Sequence, residues 1–146
     1  MPRLVDLTAK PYALDADQIG WVEDTIASMT DEEKVGQLFT NLFFFGGDPF
    51  SGNTLSNKEI LDRYHIGGAR YNGGTSDQVQ QLLNELQRDS KIPLLIAANC
   101  DAGGNGACKD GTYVASGAQC EASRDTAVAR AAGYVSGREE SALGST

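Results

Sequence analysis

Apolar residues follow two rhythms along this chain. Ile19, Val22, Ile26 and Met29 recur at i, i+3, i+7 and i+10, which predicts an amphipathic helix opening at Asp17. Val79, Leu82, Leu83 and Leu86 repeat the helical spacing at i, i+3, i+4 and i+7. Elsewhere the apolar residues run together, as they do in strands buried on both sides. Leu42 to Phe45 places a first strand over 38–45, "HIGGARYNGG" a second over 66–71, and "KIPLLIAAN" a third, with Pro93 at its start, where a strand tolerates proline.

Polar punctuation agrees with that division. "TDEE" (Thr30, Glu33), "SNKE" (Ser56, Glu59) and "TSDQ" (Thr75, Gln78) each have the form of a capping box, a Ser or Thr followed three residues later by Glu or Gln. They open helices at Asp31, near Asn57 and near Ser76. A last helix is predicted from about Arg124 to Leu143, burying Val128, Ala131, Ala132 and Val135. Residues 1–16, with Pro2 and Pro11, read as an irregular lead-in, and 17–146 as one folded unit.

Strands alternating with helices predict an α/β fold with a parallel sheet covered on both faces. Three strands fit either a small open α/β domain or about the first three units of a (β/α)₈ barrel, which needs about 250 residues. A three-stranded parallel sheet also leaves an edge, and this predicts self-association through it.

Composition narrows the function classes. The net charge of −8 argues against nucleic acid and against an anionic membrane surface, both of which ask for a basic face. No apolar segment approaches the 18 or so residues of a membrane span, and "MPRLVDLTAKPY" lacks the apolar core of a signal peptide. Cys100, Cys108 and Cys120 have no metal-ligand spacing, so reduced thiols and a cytoplasmic location are expected. The alternative is export, with a Cys100–Cys108 bridge. With one histidine and no Cys-x-x-Cys, neither a zinc site nor a Ser-His-Asp triad is expected, and no cofactor is implied.

Candidate chemistry collects after the third strand. "NCDAGGNGACKDGT" begins where the apolar run stops and holds Asn99, Asp101, Asn105, Lys109 and Asp110 among four glycines. In parallel α/β folds function gathers at the C-terminal ends of strands, so these residues are placed to line a polar pocket, with the glycines giving a ligand close access. Arg70 lies toward the same end of the second strand, while His65 falls at its opposite, N-terminal end, where a packing or surface role is expected. Cys100 reads as a small buried residue, with no histidine near it in sequence, and Glu139 and Glu140 as solvent-facing or paired. A phosphate loop is the rival for the glycines. "GGNGACKDG" lacks the third glycine of G-x-G-x-x-G, no G-x-x-x-x-G-K-[ST] occurs, and no helix starts directly after it.

Four blocks, "MTDEEKVGQLF", "HIGGARYNGG", "IPLLIAANCDAGGNGACKDGT" and "ASRDTAVARAAGYVSGREESALG", together resemble family 3 glycoside hydrolases. The likeness runs from about residue 20 to 144. It is to the N-terminal (β/α)₈ domain, nearer the β-N-acetylhexosaminidase branch than the plant β-glucosidases. The resemblance implies a retaining glycosidase, in which a carboxylate attacks the anomeric carbon and an acid protonates the leaving oxygen. The family's aspartate nucleophile lies near the end of the barrel, and the hexosaminidase branch's acid/base, a His-Asp pair, on a later loop. Both fall beyond residue 146, so the resemblance implies a chain with no catalytic residue of its own, inactive alone.

It does imply substrate-binding residues for a β-linked N-acetylglucosamine or glucose. The family sets an acidic residue after the third strand to hold sugar hydroxyls, and Asp101 matches it by type and position. Relatives with D-x-E-G-G set theirs three before the first glycine, which falls here on Cys100, with Asn99 one residue further away. Asp101, Asn99 and Arg70 are therefore the substrate-binding candidates. A noncatalytic α/β carbohydrate-binding or scaffold domain is the alternative.

Overall fold

A computed structural model describes residues 5–44 and 55–145. The elements are α1 (Ala16–Ser28), α2 (Asp31–Gly36), β1 (Thr40–Phe44), α3 (Asn57–Tyr64), β2 (Gly68–Asn72), α4 (Ser76–Asp89), β3 (Leu95–Ala97), α5 (Gly117–Ser123) and α6 (Thr126–Leu143). The three anticipated capping boxes all form, at Thr30, Ser56 and Thr75. Asp15 and Gln18 make a further one that starts α1. The predicted Phe45 end of the first strand and the loop at 46–54 lie outside the described residues.

β2 is central, with β1 and β3 parallel to it on either side. This order never reverses, and that determines where the helices go. Crossovers between parallel strands are right-handed as a rule, so strands laid down in unbroken sequence put their helices on the same side. α3 packs on α4 and α4 on α6, giving one helical layer. Phe43, Ala69, Tyr71 and Ile96 from the sheet meet Ile60 and Leu61 of α3 and Val79, Leu82, Leu83 and Leu86 of α4 in the core.

The expectation of a sheet covered on both faces is corrected here. Side chains alternate across a strand, so Thr40, Leu42, Gly68, Arg70, Leu95 and Ala97 share the face away from the helices. Leu95 is 72% exposed on it, and Thr40 and Ala97 are exposed as well. An apolar run does not reveal whether its second face is covered, and here it is open.

Two helices differ from expectation. The predicted helix from about Arg124 to Leu143 forms as α6, and an unpredicted helix, α5, precedes it; Arg124 ends α5 with a left-handed φ of 52°, and Asp125 caps the new start. Of its predicted buried residues, Val128, Ala132 and Val135 are half-buried and Ala131 is exposed, while Ser136 is the buried one. In α1, Ile19 and Met29 are buried, but Ile26 stands 53% exposed beside Trp21. Among the described residues, no helix is long and apolar enough to cross a membrane.

Candidate functional site

The C-terminal ends of β2 and β3 open into two segments, Gly73–Thr75 and the long stretch from Ala98 to α5. The second is a folded unit. Gly103 pairs antiparallel with Tyr113, and Val114 and Ala115 both donate their N–H groups to the Ala102 carbonyl. A single 3₁₀ turn, Gly104–Gly106, packs against α6.

The glycines serve that closure. Gly103 has φ +135°, and a Cβ on it would lie 2.2 Å from the Thr112 carbonyl oxygen. A Cβ on Gly106 would lie 1.7 Å from the Asn99 oxygen, so the chain doubles back against its own strand end there. The expectation that these glycines give a ligand close access is replaced by packing of the loop on itself.

Two carboxylates pin the loop to the helical layer. Asp110 accepts from the Ser76 N–H and the Ser76 hydroxyl, both at 2.7 Å, and so sits at the N-terminus of α4. Those hydrogen bonds from Ser76 hold its carboxyl below the usual carboxylate range. Expected to line a pocket, Asp110 is a latch. It also fills the helix terminus with an anion, which agrees with the absence of a phosphate-loop motif. Glu139 of α6 accepts from the Thr112 N–H at 2.9 Å, and this hydrogen bond lowers its pKa. It is half-buried and paired. No local spacing reveals either contact, since Asp110 reaches back 34 residues and Glu139 reaches 27.

Beneath the loop the groups are uncharged. Cys100 is half-buried, and its thiol is pushed up to about 12, first by burial and then by the neighbouring Glu140 carboxylate. A thiol that stays protonated is a poor nucleophile, although Cys100 is half-buried where a buried residue was expected. Burial raises Tyr71 too, with the nearby Ser145 hydroxyl opposing the rise without reaching hydrogen-bonding geometry. Cys100, Cys108 and Cys120 are free thiols.

What remains accessible are the predicted polar residues. Asn99 and Asp101 are exposed at the end of β3, and the Asn99 amide donates to Asp101 Oδ2 at 3.1 Å. Arg70 stands half-buried on the open sheet face, in register between Leu42 and Ala97. Lys109 donates its N–H to the Gly74 carbonyl at 2.8 Å, and its Cε would lie 3.5 Å from a Cβ on Gly73. Its side chain therefore runs over the C-terminal end of β2. His65, by contrast, ends α3 in a left-handed conformation and offers its backbone carbonyl to the Gln37 amide, away from the C-terminal strand ends. No cluster of three His, Cys, Asp or Glu among the described residues is arranged to hold a metal.

Comparison with known proteins points one way. No family model matches the chain. The beta-N-acetylglucosaminidase/beta-glucosidase of Cellulomonas fimi is 36% identical over 141 residues, 97% of this chain and 24% of that enzyme. Among solved structures, a beta-glucoside phosphorylase, BglX, bound to 2FGlc superposes with a TM-score of 0.82 at 36% identity, covering 95% of this chain and 24% of that one. A second structure of beta-glucoside phosphorylase BglX gives 0.79 at 35% identity. The chain thus spans about a quarter of the length of the proteins it matches.

Proposed function

Because the chain belongs by sequence and fold to family 3 of the glycoside hydrolases, over about a quarter of such an enzyme, we propose that it forms the first βα units of a (β/α)₈ barrel and holds part of a sugar subsite. The observation that carries this reading is a TM-score of 0.82 at 36% identity across 95% of the chain. Single winding supports the barrel, since a barrel too places every helix outside and one sheet face inside. The open face of β1–β3 is then the interior side, and the ends of β2 and β3 form part of the mouth.

At that mouth Asp101 and Asn99 bind sugar hydroxyls. A carboxylate accepts from two adjacent hydroxyls at once, and the Asn99 amide already fixes its orientation through Asp101 Oδ2. Arg70 contributes from the floor of the face. The ligand is a β-linked glucose or N-acetylglucosamine, and the chain supplies neither the nucleophile nor the acid/base. Hydrolysis, with water as acceptor, is the reaction the site serves; the phosphorylase named among the neighbours supports phosphate as the other acceptor.

The test is calorimetric titration of the chain with glucose and with N-acetylglucosamine. Saturable binding, in the millimolar range usual for weak polar contacts (about −4 kcal/mol), is expected to disappear in Asp101→Ala and weaken in Asn99→Ala. Absence of binding to either sugar sinks the subsite. Aryl β-glucoside and β-N-acetylglucosaminide, each with and without phosphate, should give no turnover, and turnover that co-purifies with the chain refutes the claim of inactivity.

A further inference from the structure

The loop from Gly103 to Tyr113 is closed on itself and fastened to the rest of the molecule by contacts of two kinds. Its closure is backbone to backbone, Gly103 with Tyr113 and the Asn105 N–H to the Thr112 carbonyl. Some of its outer ties are neutral as well. The Lys109 N–H donates to the Gly74 carbonyl at 2.8 Å, and Cys108 points inward, 5% exposed, into the core that holds Tyr71, Val79 and Leu83. The ties to the helices are ionic in character. Asp110 accepts both Ser76 donors at the start of α4, and Glu139 of α6 accepts the Thr112 N–H. Glu139 also lies against Gly104, where a Cβ would stand 2.6 Å from its carboxyl carbon. Two helices thus grip one loop, each through a carboxylate.

A carboxylate held by neutral donors answers to protons. Protonation removes the charge that strengthens each of these bonds, while backbone ties and buried apolar contacts are indifferent to acid. The titratable neighbours do not interfere. The Cys108 thiol, which faces both Asp110 and Glu139, and the Tyr71 phenol are kept neutral by burial. Lys109 runs over Gly73, Asp77 is exposed on the first turn of α4, Arg138 lies over the Tyr134 ring, and Glu140 faces Cys100.

We propose that the Gly103–Tyr113 loop is an acid-released flap, which Asp110 and Glu139 clamp to α4 and α6 at neutral pH and which opens as a unit, bringing Cys108 out of the core, when both are protonated. The direction agrees with the two carboxyls, each held below the ordinary range, Asp110 first by Ser76 and Glu139 first by Thr112. A carboxyl lowered in the closed state binds its proton more tightly in the open one. The clamp is therefore complete above the ordinary carboxylate range and is lost as pH falls below about 4. This concerns only how the loop is attached, and holds whatever ligand the strand ends take.

The experiment labels Cys108 with dithiodipyridine, a disulfide that still reacts in acid. The thiol sulfur attacks its S–S bond, giving a mixed disulfide and releasing thiopyridone, which carries off the thiol proton. Labelling of the Cys108 peptide is followed by mass spectrometry from neutral pH down to about pH 3, relative to the chain unfolded in guanidinium at the same pH. The relative rate should rise by about tenfold in acid while the helical circular dichroism is retained, a modest factor because Asp110 is exposed. At neutral pH Asp110→Asn and Glu139→Gln should each raise it by a few-fold, and the double variant should reach the acid level and lose its pH dependence. Glu140→Gln should leave the acid release in place, and sodium chloride at neutral pH should not mimic it, since the donors carry no charge. Labelling that stays flat in acid, that rises only as the circular dichroism is lost, or that keeps its pH dependence in the double variant overturns the proposal. If a variant fails to fold, the pH profile of the parent chain alone decides.

Discussion

Replacing Gly106 by alanine tests whether the loop after β3 is rigid scaffolding or a pliable strap. The new methyl carbon would stand 1.7 Å from the Asn99 oxygen, 2.7 Å from its carbonyl carbon and 3.0 Å from Cys100 Cα. All three are backbone atoms, so no rotamer change relieves the clash. Ordinary carbon–oxygen contact needs roughly twice the closest of these separations. The strand end or the 3₁₀ turn must therefore move by well over an ångström. Overpacking of this kind costs about 3 kcal/mol or more, at the upper end of its usual range. In urea, with a slope of about 2 kcal/mol per molar, the unfolding midpoint should fall by about 1.5 M. The matched controls are Gly133→Ala and Gly137→Ala in α6, where an added methyl meets nothing within 4 Å. Each of these should raise stability by about 0.5–1 kcal/mol, the gain of alanine over glycine in a helix interior. Sugar affinity should drop in Gly106→Ala even under folding conditions, because Asn99 and Asp101 ride on the displaced backbone. A midpoint within about 0.3 M of the parent would show that the loop yields freely, and the account of its glycines would be wrong.

Further outcomes follow from other parts of the fold. Leu86 is 1% exposed at the heart of the α4 face, so Leu86→Ala should cost about 2–5 kcal/mol in the same denaturation, and a loss under 1 kcal/mol would place the core elsewhere. Cys100 titrates near 12 folded against 9.0 for an ordinary thiol, so the folded state holds its proton more tightly than the unfolded chain. Its contribution to stability is therefore complete below about pH 9 and declines as pH rises toward 12. Cys100→Ala should flatten that alkaline decline, and an unchanged profile would remove the cause. Glu140→Gln should in turn speed alkylation of Cys100 by iodoacetamide. The open sheet face and its edge should make the chain self-associate, with light-scattering mass rising with concentration and also with salt, which screens the net charge of −8. Leu95→Lys should reduce it, and a monodisperse monomer at all concentrations would count against the idea.

Local signals in the sequence were accurate where the physics is local. A capping box closes within three residues, and Thr30, Ser56 and Thr75 form theirs. Ser116 and Gln119 have the same form and start α5, so that helix was legible and was obscured by the alanine-rich stretch that follows. Val79, Leu82, Leu83 and Leu86 are all buried because one helix face packs on one sheet face. The open face was not legible, since "LLIAA" would look the same beneath a second layer of helices. Nor were the latches, where Asp110 finds Ser76 and Glu139 finds Thr112 only once the strands are in register. At the C-terminal end of β3, residue types anticipate the exposed polar pair Asn99 and Asp101, but spacing could not say that the surrounding glycines serve backbone contacts.

The doubling-back at Gly106 has an evolutionary consequence. The loop's path is fixed by main-chain packing and by Asp110 and Glu139, while the exposed Asn99 and Asp101 side chains bond to each other. Shape and chemistry are thus carried by different residues. If these two residues bind the proposed sugar, a lineage could exchange the amide or the carboxylate, and with it the ligand, at little cost to folding, whereas a lineage that lost a loop glycine would lose every ligand at once.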